Sequence, residues 1–327
     1  MQIRKLILIS LALLLLPTTA CLVQPPATRE DTIITKPVTM KGVDINIPRE
    51  DFFMMKSAGI DILTTEWGME VSISKAESFL DKADAAGLKV ILDGGFSYSA
   101  WGFSAADWDN LPEGKKPIWN RGKVQKWVKA LKDHPAVFGW DICNEAGENL
   151  PSGPHAKNSQ WPSTAITSKQ LKWARIDVLQ IDQDKPILIR MYAWDSSENT
   201  FGTYKSMDAG LADIVMLNIY SNYMQNDQLQ WPEIIQDIGA NNVETIKTAD
   251  PDAQIWVALA AFEDSSIFQR PTPASLTRDI EETLEIPHVD GIAFFAWGPL
   301  YPQDTGSTWY LPQTGADLWE VIQHSIR

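Results

Sequence analysis

From Thr39 onward the chain alternates short apolar runs with stretches of helical period, eight times over. The runs are Met40–Ile45, Ile60–Thr65, Lys89–Asp93, Val137–Cys143, Pro186–Met191, Asp213–Ile219, Gln254–Ala260 and Gly291–Ala296. They are apolar on both faces, the pattern of strands covered above and below. Between them Val124, Trp127, Val128 and Leu131 stand at i, i+3, i+4 and i+7, and Ala76, Phe79, Leu80 and Ala83 repeat that spacing, so each set forms one face of a helix. Leu171, Ala174 and Val178 mark a further helix, Ile235, Ile238 and Ile246 another, and Leu318, Trp319, Ile322 and Ile326 a last one. Gly59 and Gly87 each precede a run, where a helix ends in a left-handed cap and turns into a sheet.

Strands joined through helices run parallel. Eight such units over residues 39–327 predict one α/β domain, a (β/α)8 TIM barrel, which takes about 250 residues. The surplus falls in 94–119 and 146–164, after the third and fourth strands, on the face where barrel enzymes keep their sites. A doubly wound open sheet is the rival, but no glycine-rich phosphate loop follows the first strand.

Ahead of the barrel, Arg4 and Lys5 precede an apolar run from Leu6 to Leu16, followed by Pro17-Thr18-Thr19-Ala20-Cys21. That run is too short to span a bilayer and has the length of a signal-peptide core. A cysteine directly after a small residue resembles a bacterial lipoprotein signal, although Thr18 stands where such signals usually carry Leu. The resemblance implies that residues 1–20 are removed, that Cys21 is lipidated, and that the protein is extracytoplasmic in the cell envelope, touching the membrane only through that anchor. An ordinary secretory signal is the alternative. Residues 21–38, with Pro25, Pro26 and Pro37, have no apolar period and read as a tether. With Cys21 consumed, Cys143 is left alone and no internal disulfide forms.

Lys and Arg number 28 against 42 Asp and Glu, a net charge of −14 that argues against nucleic acid and against electrostatic docking on anionic lipid. The four His and two Cys are unclustered, which leaves no zinc finger and no iron–sulfur site. No metal or organic cofactor is implied. The unusual count is 14 Trp.

The stretch that carries chemistry is His134-Pro-Ala-Val-Phe-Gly-Trp-Asp-Ile-Cys-Asn144-Glu145-Ala-Gly147, an apolar fourth strand ending in Asn-Glu. It resembles the fourth strand of the clan-A glycoside hydrolases. The resemblance implies that Glu145 is the general acid/base and that Asn144 holds a sugar hydroxyl beside the scissile bond. The chemistry has its own logic. Cleaving an acetal needs a proton for the leaving oxygen and a negative group facing the oxocarbenium-like carbon. In that clan the second carboxyl ends strand seven, which here reads Ile255-Trp-Val-Ala-Leu-Ala-Ala-Phe262-Glu263-Asp264. Glu263 is taken as the nucleophile, with Asp264 or another acid as the alternative. A register shift of two would put Ala261 in the pocket instead.

Further resemblances are Trp297 after strand eight, where the clan has a floor under the sugar, and Tyr220 after strand six, where a Tyr touches the nucleophile. The clan's Arg after strand two and His after strand three are missing, replaced by Glu66-Trp67 and Asp93-Gly94-Gly95. Glu66 and Asp93 are candidate sugar-hydroxyl acceptors. Arg190 and Tyr192, ending strand five, either pair with an acid in the mouth or form pocket wall. Trp127, Trp173, Trp256 and Trp319 fall in helices or mid-strand and are expected in the core. Trp67, Trp101, Trp108, Trp161, Trp194 and Trp297 fall at or after strand ends, where indole faces suit the apolar side of a sugar. The combined expectation is an exported retaining glycoside hydrolase with a polysaccharide or oligosaccharide as its partner. A surface-anchored carbohydrate-binding barrel without catalysis is the alternative.

Overall fold

Eight parallel strands close on themselves: β1 (Val38–Val43), β2 (Ile62–Thr65), β3 (Lys89–Asp93), β4 (Val137–Asn144), β5 (Ile187–Tyr192), β6 (Ile214–Ile219), β7 (Gln254–Ala260) and β8 (Gly291–Phe295). Each pairs with its neighbours in sequence, and β1 pairs with β8 through Val38↔Ile292 to Lys41↔Phe295, so the protein is a TIM barrel. The computed structural model describes residues 35–65, 67–93, 101, 118–144, 168–192, 195–196, 199–200, 208–222, 224–225, 228–229, 233–263, 268–297, 311–312 and 314–326; at 144, 192, 195–196, 199–200, 224–225 and 228–229 it describes the backbone only.

The helices are α1 (Arg49–Ala58), α2 (Ile73–Ala86), α3 (Arg121–Leu131), α4 (Ser168–Leu179), α5 (Ala240–Ala249), α6 (Pro273–Glu285) and α7 (Ala316–Ile326). A π turn at Ile235–Gly239 leads into α5. Local chemistry sets several boundaries. The Ser72 hydroxyl accepts from the Lys75 N–H, and Thr272 and Ser275 form a reciprocal capping box with Pro273 in the first turn. Gly59 (φ 100°) and Gly87 (φ 76°) end α1 and α2 in the left-handed conformation, as their positions predict. The predicted helical stripes are the buried ones: Val124, Trp127, Val128 and Leu131 on α3, and Ala76, Phe79, Leu80 and Ala83 on α2.

Two apolar layers result. Strand residues facing outward pack against the helices in one large cluster. Those facing inward form a second, with Ile62, Ile91, Leu188, Met216, Trp256 and Ala293 among its members and Phe138 against them. Trp256 is the bulky plug of this inner layer, as its expected core position requires. It pairs in register with Gly291, where a Cβ would stand 2.7 Å from the indole Cδ1. Glycine at the start of β8 therefore makes room for the ring.

The expected strand limits hold to within two residues, with β3 and β7 coincident. Between β5 and β6 the described residues carry only a small antiparallel pair, Asp195–Ser196 with Asn199–Thr200. The crossover between these strands otherwise lies largely outside the described residues.

Candidate active site at the carboxyl end of the barrel

Toward the strand carboxyl ends the inward-facing side chains change from apolar to charged. Lys41 on β1, Asp93 on β3, Asp141 on β4 and Arg190 on β5 are all buried, as is Asn218 on β6. Burying an ion costs several kcal/mol unless it is paired and hydrogen-bonded, and the pairings span the lumen. The Lys41 ammonium donates to Asn218 Oδ1 at 3.0 Å and to the Tyr220 hydroxyl at 2.8 Å, tying β1 to the end of β6. Arg190 Nε sits 2.5 Å from Asp141 Oδ2, and its Nη2 donates to the Thr65 carbonyl at 3.1 Å, tying β5 to β4 and β2. Asp141 Oδ1 also accepts the Cys143 N–H at 3.1 Å, across a register shift in β4. The Asp93 N–H donates to the Thr65 hydroxyl at 3.2 Å. This end of the barrel is a polar ring on an apolar plug.

An aromatic group adjoins the ring. The Tyr220 ring meets Phe262 at 5.2 Å and Phe295 at 5.8 Å between centroids, and Phe262 meets Phe295 edge-on at 5.0 Å. The Lys41 ammonium lies 4.3 Å from the Phe295 ring centre, a cation–π contact. Gly42 permits it, because a Cβ there would stand 2.6 Å from Phe295 Cε2.

Of the residues singled out in the sequence, the structure brings Asp93, Arg190 and Tyr220 to this end, and Arg190 takes the acid-paired arrangement. Asn144 is the last residue of β4, in register with Arg190, and Tyr192 ends β5 in register with Asn218. Glu263 follows the end of β7 by three residues, half-buried and without a hydrogen-bond partner among the described residues. The preceding side chain, Phe262, is the one packed against Tyr220 and Phe295. Glu145, Glu66, Asp264 and Cys21 lie outside the described residues.

Four tryptophans take positions other than those expected. Trp297 is fully buried, donates from Nε1 to Asp51 Oδ2 on α1 at 2.9 Å and packs edge-on against Trp319 of α7 at 4.9 Å. It braces the helix layer. Phe295, two residues earlier, supplies the aromatic face beside Lys41. Trp67 is buried edge-on against Phe79 of α2, and Trp101 is buried with Nε1 donating to the Ile142 carbonyl of β4 at 3.2 Å. Both serve as packing in the described structure. Trp173, expected in the core, is exposed.

Sequence reasoning missed Lys41, Asp141 and Phe295 as members of the site. The signal was there for the first two, since a charged residue inside a strand apolar on both faces must be buried with a partner.

No protein-family model and no curated protein sequence matches this chain. Solved structures do resemble it. The β-galactosidase from the psychrophilic Marinomonas ef1 aligns with a TM-score of 0.59 at 12% identity over 88% of this chain and 58% of its own. The catalytic core of xylanase A aligns with a TM-score of 0.56 at 12% identity over 90% of this chain and 98% of its own. Xylanase 10B from Thermotoga petrophila RKU-1, solved with xylobiose, aligns with a TM-score of 0.50 at 16% identity, covering 89% and 95%. This chain thus spans about three-fifths of the β-galactosidase and nearly all of either xylanase chain. At these identities the likeness is one of fold.

Proposed function

We propose that the protein is a glycoside hydrolase that cleaves O-glycosidic bonds of a polysaccharide or oligosaccharide with retention of configuration. The observation that carries this reading is the ring of buried charges at the carboxyl end of the barrel, where β4 ends at Asn144, the residue that precedes Glu145 in sequence. In this reading Glu145 protonates the leaving oxygen and later activates water, while Glu263 attacks the anomeric carbon. Asn144, Asp93 and Tyr220 orient sugar hydroxyls. Arg190 holds Asp141, and Lys41 fixes Tyr220 and Asn218. The resemblance in fold to a β-galactosidase and two xylanases supports the class and leaves the sugar open.

The test is a screen of the purified chain against aryl β-glycosides and polysaccharides. Reducing ends should appear, and the anomer first released should match the substrate's. Release of the opposite anomer would overturn retention.

A second reading, a carbohydrate-binding barrel without catalysis, is favoured by the place of Glu263 beyond the strand end, with Phe262 in the aromatic group. Glycan binding with no hydrolysis by the wild type would select it.

The chain is further proposed to be exported and anchored through a diacylated Cys21, on the strength of the Leu6–Leu16 run and the Ala20-Cys21 step. Labelled palmitate should enter the wild-type protein and not Cys21→Ser; labelling that survives the substitution removes the anchor from the account.

A further inference from the structure

The outer wall of the barrel carries a groove that the mouth does not explain. On α4, Trp173, Ile176 and Asp177 stand at i, i+3 and i+4, with Gln180 continuing the spacing in the turn just after the helix, on a different face from the buried stripe of Leu171, Ala174 and Val178. Ile118, Trp119 and Arg121, at the start of α3, face them across a groove of about 580 Å³. Trp173 is 57% exposed, whereas every other described tryptophan is buried or half-buried. Ile118 and Ile176 flank it at 72% and 52% exposed.

The polar side of this groove is built rather than loose. Asp177, with its side chain 13% exposed, accepts from Trp119 Nε1 at 3.1 Å on one oxygen and faces Arg121 Nε at 3.0 Å on the other. Arg121 Nη2 donates to Gln180 Oε1 at 2.6 Å, and Gln125 Nε2 donates to the same oxygen at 3.3 Å. Trp119 packs against Trp101 at 4.8 Å between ring centres with the planes tilted by 53°, which restrains its orientation. Lys169 lies 5.2 Å from the Trp173 ring centre, one turn earlier on α4.

We propose that this α3–α4 groove is a carbohydrate-binding site outside the barrel mouth, in which Trp173 is the stacking platform for a neutral glycan segment. Charge and size select the ligand class. Arg121 and Asp177 neutralise each other and the Lys169 ammonium lies against the Trp173 ring, so the groove offers a single cation and not the cluster that a nucleic-acid or sulfated backbone needs. A flat indole beside fixed amides and a carboxylate matches a pyranose ring, whose C–H face is apolar and whose equatorial hydroxyls both donate and accept. Its volume falls among small-ligand sites, about 300–1,000 Å³. A stable interface between two copies needs about 800 Å² from each partner around an apolar centre, and here the apolar lining is confined to Ile118, Trp119, Trp173 and Ile176, with the paired Arg121, Asp177 and Gln180 among them.

The choice of a glycan rests on the carbohydrate reading above; the groove itself does not. The test separates the two by affinity electrophoresis of the full chain in gels containing arabinoxylan, galactomannan, mixed-linkage β-glucan or β-galactan. The wild type should be retarded by at least one polymer. Trp173→Ala should weaken that binding about tenfold or more, and Trp173→Phe should keep part of it. Turnover of short aryl glycosides by Trp173→Ala should be unchanged. Equal retardation of wild type and Trp173→Ala overturns the site. So does the absence of retardation in every gel while aryl glycosides are cleaved. A concentration-dependent dimer in sedimentation, lost in Trp173→Ala, would assign the face to a second copy and also overturn it. Retardation that depends on Trp173, with no hydrolysis of any substrate, would uphold the groove and overturn the hydrolase.

Discussion

Arg190→Met should cost about 3–5 kcal/mol of stability, the loss expected when one partner of a buried ion pair is removed and the other stays charged. Arg190 and Asp141 are both fully buried, and Arg190 also holds the Thr65 carbonyl across the lumen. For a domain of this size that amounts to a fall in melting temperature of roughly 10 °C. Asp141→Asn should cost nearly as much while keeping an acceptor for the Cys143 N–H, which isolates the charge from the hydrogen bond. The double replacement Arg190→Met with Asp141→Leu should recover part of the loss, because it removes both charges of the pair together. Calorimetry on the four proteins checks this. A single variant that melts with the wild type would mean that the pair is not the link that ties β5 to β4.

The recovered stability need not bring recovered activity. The inner cluster below the ring is apolar and would close the barrel without any charge, so its stability does not call for Lys41, Asp93, Asp141 and Arg190. Desolvated charges at the carboxyl end are retained at a cost that the fold does not require, which is the physical ground for placing the chemistry there.

Much of this was legible in sequence. A strand covered on both faces must be apolar throughout, so the eight runs located β1 to β8 with small errors at their ends. Helical spacing identified the buried stripes directly. It also held the correct answer for Trp173, which lies off the Leu171–Ala174–Val178 stripe; grouping it with the core followed the preference of indole for burial instead of the period of the helix. Trp297 was misplaced for another reason. Adjacency to a strand end does not say which way a side chain turns, and its partners, Asp51 and Trp319, come from helices at opposite ends of the chain. Lys41 shows the same limit. Its charge within β1 was visible, but its partners Asn218 and Tyr220 become neighbours only when the barrel closes. Local pattern encodes burial and period, whereas cross-lumen pairing depends on strand order and stagger.

The two proposed carboxylates should fail in different ways when removed. Glu145→Ala deletes proton delivery to the leaving group and should lower turnover of poor leaving groups by about 10²–10⁴-fold. Substrates with acidic phenol leaving groups need little protonation, so their first step should suffer least. The glycosyl-enzyme would then accumulate for want of a base, and azide, which needs none, should raise turnover and yield a glycosyl azide of retained configuration. Glu263→Ala should abolish the first step for every leaving group, and azide acting in its place should give the inverted product. The leaving-group dependence and product stereochemistry must therefore differ between the variants, a difference in kind that loss of folding cannot imitate. Near-wild-type turnover by Glu263→Ala would remove it as nucleophile, which its place beyond the end of β7 already makes the sharper test. Asp93, buried at the same end of the barrel, would then be the next to replace, with Asp264 and Glu66 after it. Glu145→Ala that retains full activity on poor leaving groups would remove the Asn144-Glu145 step from the mechanism, and with it the resemblance on which the assignment rests.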